Sequence, residues 1–293
     1  MFHFFGFVMH IPVLVEEVVS FLRPTDRVVV DGTLGHGGHT RAMRDAYVQM
    51  GVHPQMIGCD IDPAMFAKAV SNLSHIPGQW YNQSYQDIIT TMKHDNLVSD
   101  FFLIDIGINW DHILDANRGF SIHHHGPLDM RFCPHRISAA DLIVSSSRHD
   151  IAYRLHAYGD IGEKKAYEIA GLTKKLCPQT TTERKKILSD CGLGQRVYPQ
   201  CFQALRIAVN DELGGLHRFF DQIGEVIAPG GRLALISFHS GEDRIIKHRI
   251  KMRTTHGGRQ LCGKTLSPRY QEIQKNRASR SARLRVIEKV SHD

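Results

Sequence analysis

Apolar residues along this chain fall into two kinds of pattern. Unbroken runs of strand length alternate with helix-spaced stretches near both ends, and the middle lacks that cadence. Arg27-Val28-Val29-Val30-Asp31 is β-branched and does not alternate, as expected for a strand covered on both faces of a parallel sheet. Met56-Ile57-Gly58-Cys59-Asp60 and Phe101-Phe102-Leu103-Ile104-Asp105 read the same way, and each of the three ends on a carboxylate. Residues 79–82 predict one more strand between them. Residues 16–22, 40–49 and 63–73 predict helices, the first stopped before Pro24 and the last opened by Pro63. The βαβαβ order predicts an α/β fold with a doubly wound sheet.

Between residues 111 and 199 the text turns polar and rich in His and Ser, with helical period at 138–144, 150–158 and 164–176. Thr180-Thr181-Thr182-Glu183 carries the residues of a capped helix start. The α/β pattern then resumes. Phe202, Leu205, Val209, Leu213, Leu216, Phe220, Ile223 and Ile227 keep i, i+3, i+4 spacing and predict one helix of about seven turns, ended by Pro229-Gly230-Gly231. Residues 232–238 predict a strand, and Leu284-Arg285-Val286-Ile287 alternates as an edge or antiparallel strand would. These patterns predict one sheet domain, residues 9–110 with 200–293, interrupted by a helical insertion at 111–199.

Composition places the chain among globular proteins, at 42% hydrophobic and 23% charged over 293 residues. No apolar run approaches the ~20 residues that span a bilayer. The apolar opening, residues 1–8, lacks a basic flank and a small-residue cleavage site, so it is a poor signal peptide, and Met9 offers a second start. Six scattered cysteines without a C-x-x-C pair predict free thiols, no zinc and a cytoplasmic location. His123-His124-His125 has no partner spacing, and consecutive histidines on a loop cannot all face one ion, so no metal is expected. Charge is uneven. Residues 244–289 hold fourteen Lys and Arg against Glu272 and Glu288, a net +12, which leaves −6 for the rest of a chain totalling +6. A basic stretch of this kind suits a polyanion.

In open α/β sheets ligands sit beyond the carboxyl ends of the strands. Three such ends are marked here. Asp31-Gly32-Thr33-Leu34-Gly35-His36-Gly37-Gly38-His39 follows the first strand, Asp60 closes the second 22 residues after Gly38, and Asp105 closes the fourth. Gly35-x-Gly37-Gly38 does not have the dinucleotide spacing, and no G-K-[ST] follows it. A glycine turn with a strand-end acid for ribose hydroxyls favours an S-adenosylmethionine methyltransferase over a dehydrogenase or a non-catalytic nucleotide-binding module.

Longer motifs sharpen the picture. His10-Ile11-Pro12-Val13-Leu14, the loop above, Asp60-Ile61-Asp62-Pro63, Arg118-Gly119-Phe120-Ser121 and Gly126-Pro127-Leu128-Asp129-Met130-Arg131 occur in order. Residues 202–213, Ser237-Phe238-His239-Ser240, Glu242-Asp243-Arg244 and Arg280-Ser281-Ala282 follow. Together they resemble the ribosomal small-subunit methyltransferase H family, which methylates N4 of a cytidine in 16S rRNA. The resemblance implies a Rossmann-like class I methyltransferase sheet with an inserted helical domain for substrate recognition. It further implies S-adenosylmethionine against Gly37, Gly38, His39, Asp60, Tyr85 and Asp105, with His112 where the family has a Gln. The implied partner is 16S rRNA of the small subunit, with no membrane, and the chain a monomer or homodimer.

The chain departs from the family at four places. Asp105-Ile106-Gly107-Ile108-Asn109-Trp110-Asp111-His112 replaces D-L-G-V-S-S-P-Q, Tyr198-Pro199-Gln200-Cys201 stands for P-A-T-R, Gly241 replaces a Leu, and Asn276-Arg277-Ala278 opens the N-P-R-x-R-S-A segment. The first lies where the target base should come in. The amine of cytosine is a poor nucleophile, since its lone pair is delocalised into the ring. Catalysis therefore asks for acceptors that hold its N–H bonds in line with the methyl donor. Asp105, Asn109 and Asp129 are candidates, with His239 as a proton acceptor. Trp110 and Phe120 are candidates either to stack on an unpaired base or to pack the junction between the insertion and the sheet. Two classes stay open: an rRNA methyltransferase, and a cofactor-binding RNA-interaction protein that has lost catalysis.

Overall fold

The computed structural model describes residues 11–254, 258–260 and 265–290, so His10 and Cys262 lie outside the described residues. The chain divides into two compact units. One runs to Gly107 and resumes at Leu216; the other is Ile108–Gly215.

The first unit contains α1 (Val15–Val19), β1 (Val28–Asp31), α2 (Gly38–Gln49), β2 (Gln55–Cys59), α3 (Pro63–Asn72), β3 (Gln79–Tyr81), α4 (Asp87–His94) and β4 (Ser99–Asp105). The second contains α5 (Trp110–Leu114), α6 (Ala139–Ser145), α7 (Arg148–Gly159), α8 (Glu163–Leu176), α9 (Thr181–Asp190) and α10 (Tyr198–Asn210). The division falls inside α11 (Glu212–Gln222); then come β5 (Ile227–Ser237), α12 (Ser240–Thr254), β6 (Gly258–Gln260), α13 (Tyr270–Lys275) and β7 (Arg283–Lys289).

The seven strands form one sheet in the order β3-β2-β1-β4-β5-β7-β6. The first five are parallel, and β7 runs antiparallel to both β5 and β6. β7 is therefore antiparallel, as its alternation allows, and is not an edge. Side chains two apart share a face. Val30, Ile57, Phe102 and Ile104 pack with α4, α11 and α12 through Ile88, Phe219 and Ile246. Val29, Met56, Phe101 and Leu103 pack on the other face with α1 and α2 through Val18, Met43 and Tyr47. Helices on both faces explain why β1 and β4 read as unbroken apolar runs.

Helix starts follow local chemistry. Asp62 accepts the Ala64 and Met65 N–H groups at 2.8 and 3.3 Å with Pro63 in the first turn. Ser147 with Asp150 and Thr180 with Glu183 form capping boxes on α7 and α9.

The expected single helix through residues 202–227 is two. Asp211 takes a left-handed conformation at φ 49°, which ends α10. The stripe is shared out accordingly: Phe202, Leu205 and Val209 belong to the second unit's core, and Leu216, Phe220, Ile223 and Ile227 to the first's. The return to the sheet unit thus falls at residues 215/216 rather than at 199/200. Pro229-Gly230-Gly231 does not stop a helix either. It lies in β5, where the register jumps from Ser99–Ile227 to Phe101–Arg232.

The second unit has its own core, built on residues such as Leu155, Ile169, Ile187 and Phe202. Arg184 of α9 is buried in it. Its Nη1 donates to Thr173 Oγ1 at 2.5 Å, its Nε and Nη2 meet no acceptor among the described residues, and burial lowers its pKa. A guanidinium held this way is a net destabiliser, and exchange for an apolar side chain is often neutral or favourable. Arg184→Met is expected to leave the thermal midpoint unchanged or raise it. A drop of several degrees in a melting scan would refute this.

Candidate functional site

The loop after β1 is tied down by Asp31, which is fully buried. Its Oδ1 accepts the Thr33 N–H at 3.1 Å and its Oδ2 the Thr40 hydroxyl at 2.7 Å. Leu34 N–H donates to Cys59 O at 2.9 Å, and Thr33 Oγ1 accepts the Asp105 N–H at 2.7 Å, so the loop is fastened to the ends of β2 and β4. Burial pushes the Asp31 carboxyl up, opposed by His39.

Asp60 follows β2. Its Oδ2 accepts the Gly35 N–H at 2.8 Å and its Oδ1 the Asp62 N–H at 2.9 Å, which leaves a lone pair on each oxygen. Burial pushes its pKa up to about 6 against those two hydrogen bonds. Asp105 ends β4. Its Oδ2 stands 3.7 Å from His39 Nδ1, and its Oδ1 is buried with no partner among the described residues. Burial pushes its pKa up to about 7, with His39 opposing and Asp31 and Glu242 adding to the rise. His39 Nε2 lies 2.8 Å from Val13 O, so that nitrogen carries a proton and Nδ1 faces the carboxyl.

Two glycines of the loop sit in close packing. Gly37 caps α2 at φ 79°, and a Cβ there would lie 2.8 Å from Leu73; one on Gly38 would lie 3.0 Å from Pro12. Their missing side chains are thus accounted for by close packing, independently of any ligand. Tyr85 is half-buried, its ring edge-on to Phe219 at 5.4 Å.

The remaining candidates are held in other ways. His239 Nδ1 accepts the Gly241 and Glu242 N–H groups at 3.2 and 3.4 Å, and its Nε2 stands 2.8 Å from Glu242 Oε1. It acts as an acceptor at the start of α12. Glu242, unforeseen from sequence, is buried and accepts the Phe238 N–H at 2.9 Å. In the second unit, Asn109 caps α5 by accepting the Asp111 N–H at 3.1 Å. His112 closes that capping box through Nδ1, 3.1 Å from the Asn109 N–H, with its ring 5.2 Å from Phe120 and 5.3 Å from Phe132. Asp129 is gripped by Arg131, Nε to Oδ1 at 2.9 Å and Nη2 to Oδ2 at 2.6 Å. Burial alone would raise the Asp129 pKa; Arg131 overrides it and holds it below the usual carboxylate range.

Phe120 is buried and stacks on Phe132 at 5.5 Å, whereas Trp110 is 47% exposed. The three histidines diverge, His124 Nδ1 toward Ile113 O at 3.3 Å and His125 Nδ1 toward Thr182 Oγ1 at 2.9 Å. The five cysteines among the described residues are unpaired. The basic stretch is only partly offered to solvent. Arg283 and Arg285 bind Asp243, Arg249 binds Asp221, and Lys289 donates to Gly224 O and Ile227 O, while Arg244, Lys247, Lys275, Arg277 and Arg280 are exposed. Among the described residues no helix is long and apolar enough to cross a membrane.

The sequence profile described as the MraW methylase family matches residues 7–290. The chain belongs to that family. Ribosomal RNA small subunit methyltransferase H of Coprothermobacter proteolyticus is 37% identical over 301 residues, covering 97% of each chain. The protein of the same name from Elusimicrobium minutum is 37% identical over 294 residues, covering 96% of this chain and 98% of that one. A putative methyltransferase from Streptococcus mutans, solved in complex with SAH, superposes with a TM-score of 0.47 at 12% identity, covering 94% of this chain and 95% of that one.

As a MraW-family methylase the protein has the Rossmann-like class I methyltransferase fold and uses S-adenosylmethionine. The residues at the strand ends suit that donor. Asp60 has a lone pair open on each oxygen, the chemistry a ribose diol would need, and the unpartnered Asp105 oxygen with Asp31 nearby would favour a cation such as a sulfonium.

A pH dependence follows from the raised Asp105 pKa. The ionised carboxylate attracts the cation, so affinity for S-adenosylmethionine is expected to climb as pH rises through about 7, by at most about tenfold per unit. S-Adenosylhomocysteine lacks the charge and is expected to show a flatter profile. Calorimetric titrations of both at pH 6, 7 and 8 test this, and parallel profiles would exclude it.

Proposed function

We propose that this protein transfers a methyl group from S-adenosylmethionine to N4 of a specific cytidine in 16S rRNA of the small ribosomal subunit, in the cytoplasm. The observation that carries this reading is the match, along 96–97% of the chain, to two bacterial proteins named ribosomal RNA small subunit methyltransferase H. When bound, S-adenosylmethionine supplies an electrophilic methyl on a sulfonium.

The chain's own residues have three tasks. Asp60 holds the ribose, and the loop with Gly37, Gly38 and His39 packs beside it, with Tyr85 flanking the adenine. Asp105 provides negative charge and a buried acceptor for an N–H of the exocyclic amine, which favours a pyramidal nitrogen with its lone pair exposed. Asn109 remains a second candidate acceptor, since capping α5 uses one lone pair of its carbonyl oxygen. His112, Asp129 and His239 are assigned to packing, to the Arg131 clasp and to the start of α12, because each is already committed there. The sheet unit is proposed as the methyltransferase domain and the second unit as the part that recognises RNA. The exposed Arg244, Lys247, Lys275, Arg277 and Arg280 suit phosphates, with affinity falling as salt rises.

The test is incubation of the purified protein and labelled S-adenosylmethionine with small subunits, naked 16S rRNA and assembled ribosomes. N4-methylcytidine in a nuclease digest of at least one is the expected result. Its absence from all three overturns the reading.

A further inference from the structure

Two stretches of the chain take no part in the chemistry proposed above: Ile11-Pro12-Val13-Leu14, and the segment that opens at Asn276. They lie at opposite ends of the sequence, and the structure joins them. Leu14 N–H donates to Glu272 Oε1 at 2.8 Å, and Asn276 Nδ2 donates to Ile11 O at 2.9 Å. Glu272 lies on α13 and Asn276 closes that helix, so both ties come from one element. The Asn276 side-chain oxygen accepts the Ala278 N–H at 3.1 Å, which assigns the amide nitrogen to Ile11.

The Leu14 N–H belongs to the same peptide group as the Val13 carbonyl, and that carbonyl faces His39 Nε2 at 2.8 Å. In a planar trans peptide the two groups point in opposite directions. Glu272 on one side therefore fixes the line along which the carbonyl meets His39 on the other. A carboxylate accepting the N–H also polarises the carbonyl and strengthens its hold on the imidazole. Val13 and Leu14 are buried, so water does not readily replace either bond. Leu14 is also left-handed, at φ 53° and ψ 33°, a conformation that a leucine keeps only where its surroundings dictate it. Such a segment does not hold its shape unaided. Pro12 lies against the loop that follows β1, since a Cβ on Gly38 would be 3.0 Å from its ring. The far side of the imidazole presents Nδ1 to Asp105 Oδ2 at 3.7 Å, with Asp31 as the other carboxylate near the ring.

We infer that Glu272 and Asn276 are positioning residues for the methyl-transfer site: they hold the Ile11–Leu14 segment so that Val13 fixes His39 with Nδ1 turned to Asp105. The donor site is then complete only when α13 has docked. The inference rests on S-adenosylmethionine as the donor and on no particular RNA, so its test uses neither ribosomes nor rRNA.

Two measurements decide it. The first needs no ligand and follows, by NMR, exchange with water of the proton on His39 Nε2, its signal identified by its loss in His39→Asn. In Glu272→Ala that proton is expected to exchange about tenfold faster or more, while the amides of β1 and β4 keep their rates. Glu272→Gln retains an oxygen for the Leu14 N–H and is expected to restore slow exchange. Unchanged exchange in Glu272→Ala, or an equal acceleration throughout the sheet, overturns the inference.

The second is calorimetric titration with S-adenosylmethionine. Glu272→Ala is expected to bind about tenfold more weakly, and Glu272→Gln within about threefold of the wild type. Asn276→Asp keeps the oxygen for Ala278 but has no N–H for Ile11, and a loss of about fivefold is expected. Wild-type affinity in Glu272→Ala or in Asn276→Asp, or no recovery in Glu272→Gln, overturns the proposal.

Discussion

Asp105→Asn is expected to remove most methyl transfer while making the protein harder to melt. The carboxyl closes β4 with one oxygen buried and unpartnered, and burial pushes its pKa up to about 7. In the role proposed for Asp105, loss of a preorganised charged acceptor is worth roughly 10²–10³ in rate. The stability effect has the opposite direction. A carboxyl whose folded pKa is raised lets the folded state hold a proton that the unfolded chain releases. The stability this contributes is fully present below about pH 4 and is lost as pH rises through about 7. Asn escapes that loss. At pH 8 the variant is expected to melt roughly 2–8 °C above the wild type, a gap that closes toward pH 5. Calorimetric scans across that range, with a transfer assay, check both parts. A variant that transfers at the wild-type rate would remove Asp105 from the chemistry, and one that melts lower at pH 8 would remove the burial argument.

Asp26→Ala is expected to have the largest effect on folding. Asp26 and Arg232 form an ion pair with side chains 2% and 1% exposed. The same carboxylate accepts the Tyr47 hydroxyl at 2.6 Å and the Arg23 N–H at 2.9 Å, and Arg232 also donates to Phe21 O. Its guanidinium lies 5.6 Å from the Phe101 ring centre, inside one face of the sheet. Truncating the acid leaves a buried cation without its counter-charge, which costs about 3–5 kcal/mol. In a chain of this size that corresponds to a melting point lower by roughly 10 °C or more. Replacing both partners, as Asp26→Leu with Arg232→Met, is expected to recover much of the loss. A single variant melting within a degree of the wild type would contradict the account.

How much of this was legible in the sequence depends on how local the cause is. Strands β1, β2 and β4 were visible because burial on both faces leaves an unbroken apolar run. The starts of α3 and α9 were visible because Asp62-Pro63 and Thr180 to Glu183 carry their capping chemistry within four residues. The break at Asp211 was hidden because the apolar spacing stays in phase across it, although its halves serve different cores. The strand role of Pro229-Gly230-Gly231 depends on the register with β4, which no local pattern records.

The site divides the same way. Asp31, Asp60 and Asp105 were picked out as acids at strand ends, and the structure brings all three to one end of the sheet. The glycine loop was found, but the reason for its glycines was not, since Leu73 and Pro12 are distant in sequence. Arg131 stands two residues from Asp129, and the clasp between them was foreseeable from that spacing.

The place of β7 bears on how the chain acquires this form during synthesis. Residues 283–289 slot between β5 and β6, which come out of the ribosome earlier. Until that segment has cleared the exit tunnel, β5 presents an open row of amides and carbonyls to other nascent chains. Premature termination anywhere before residue 283 should therefore yield a product that clumps or is degraded.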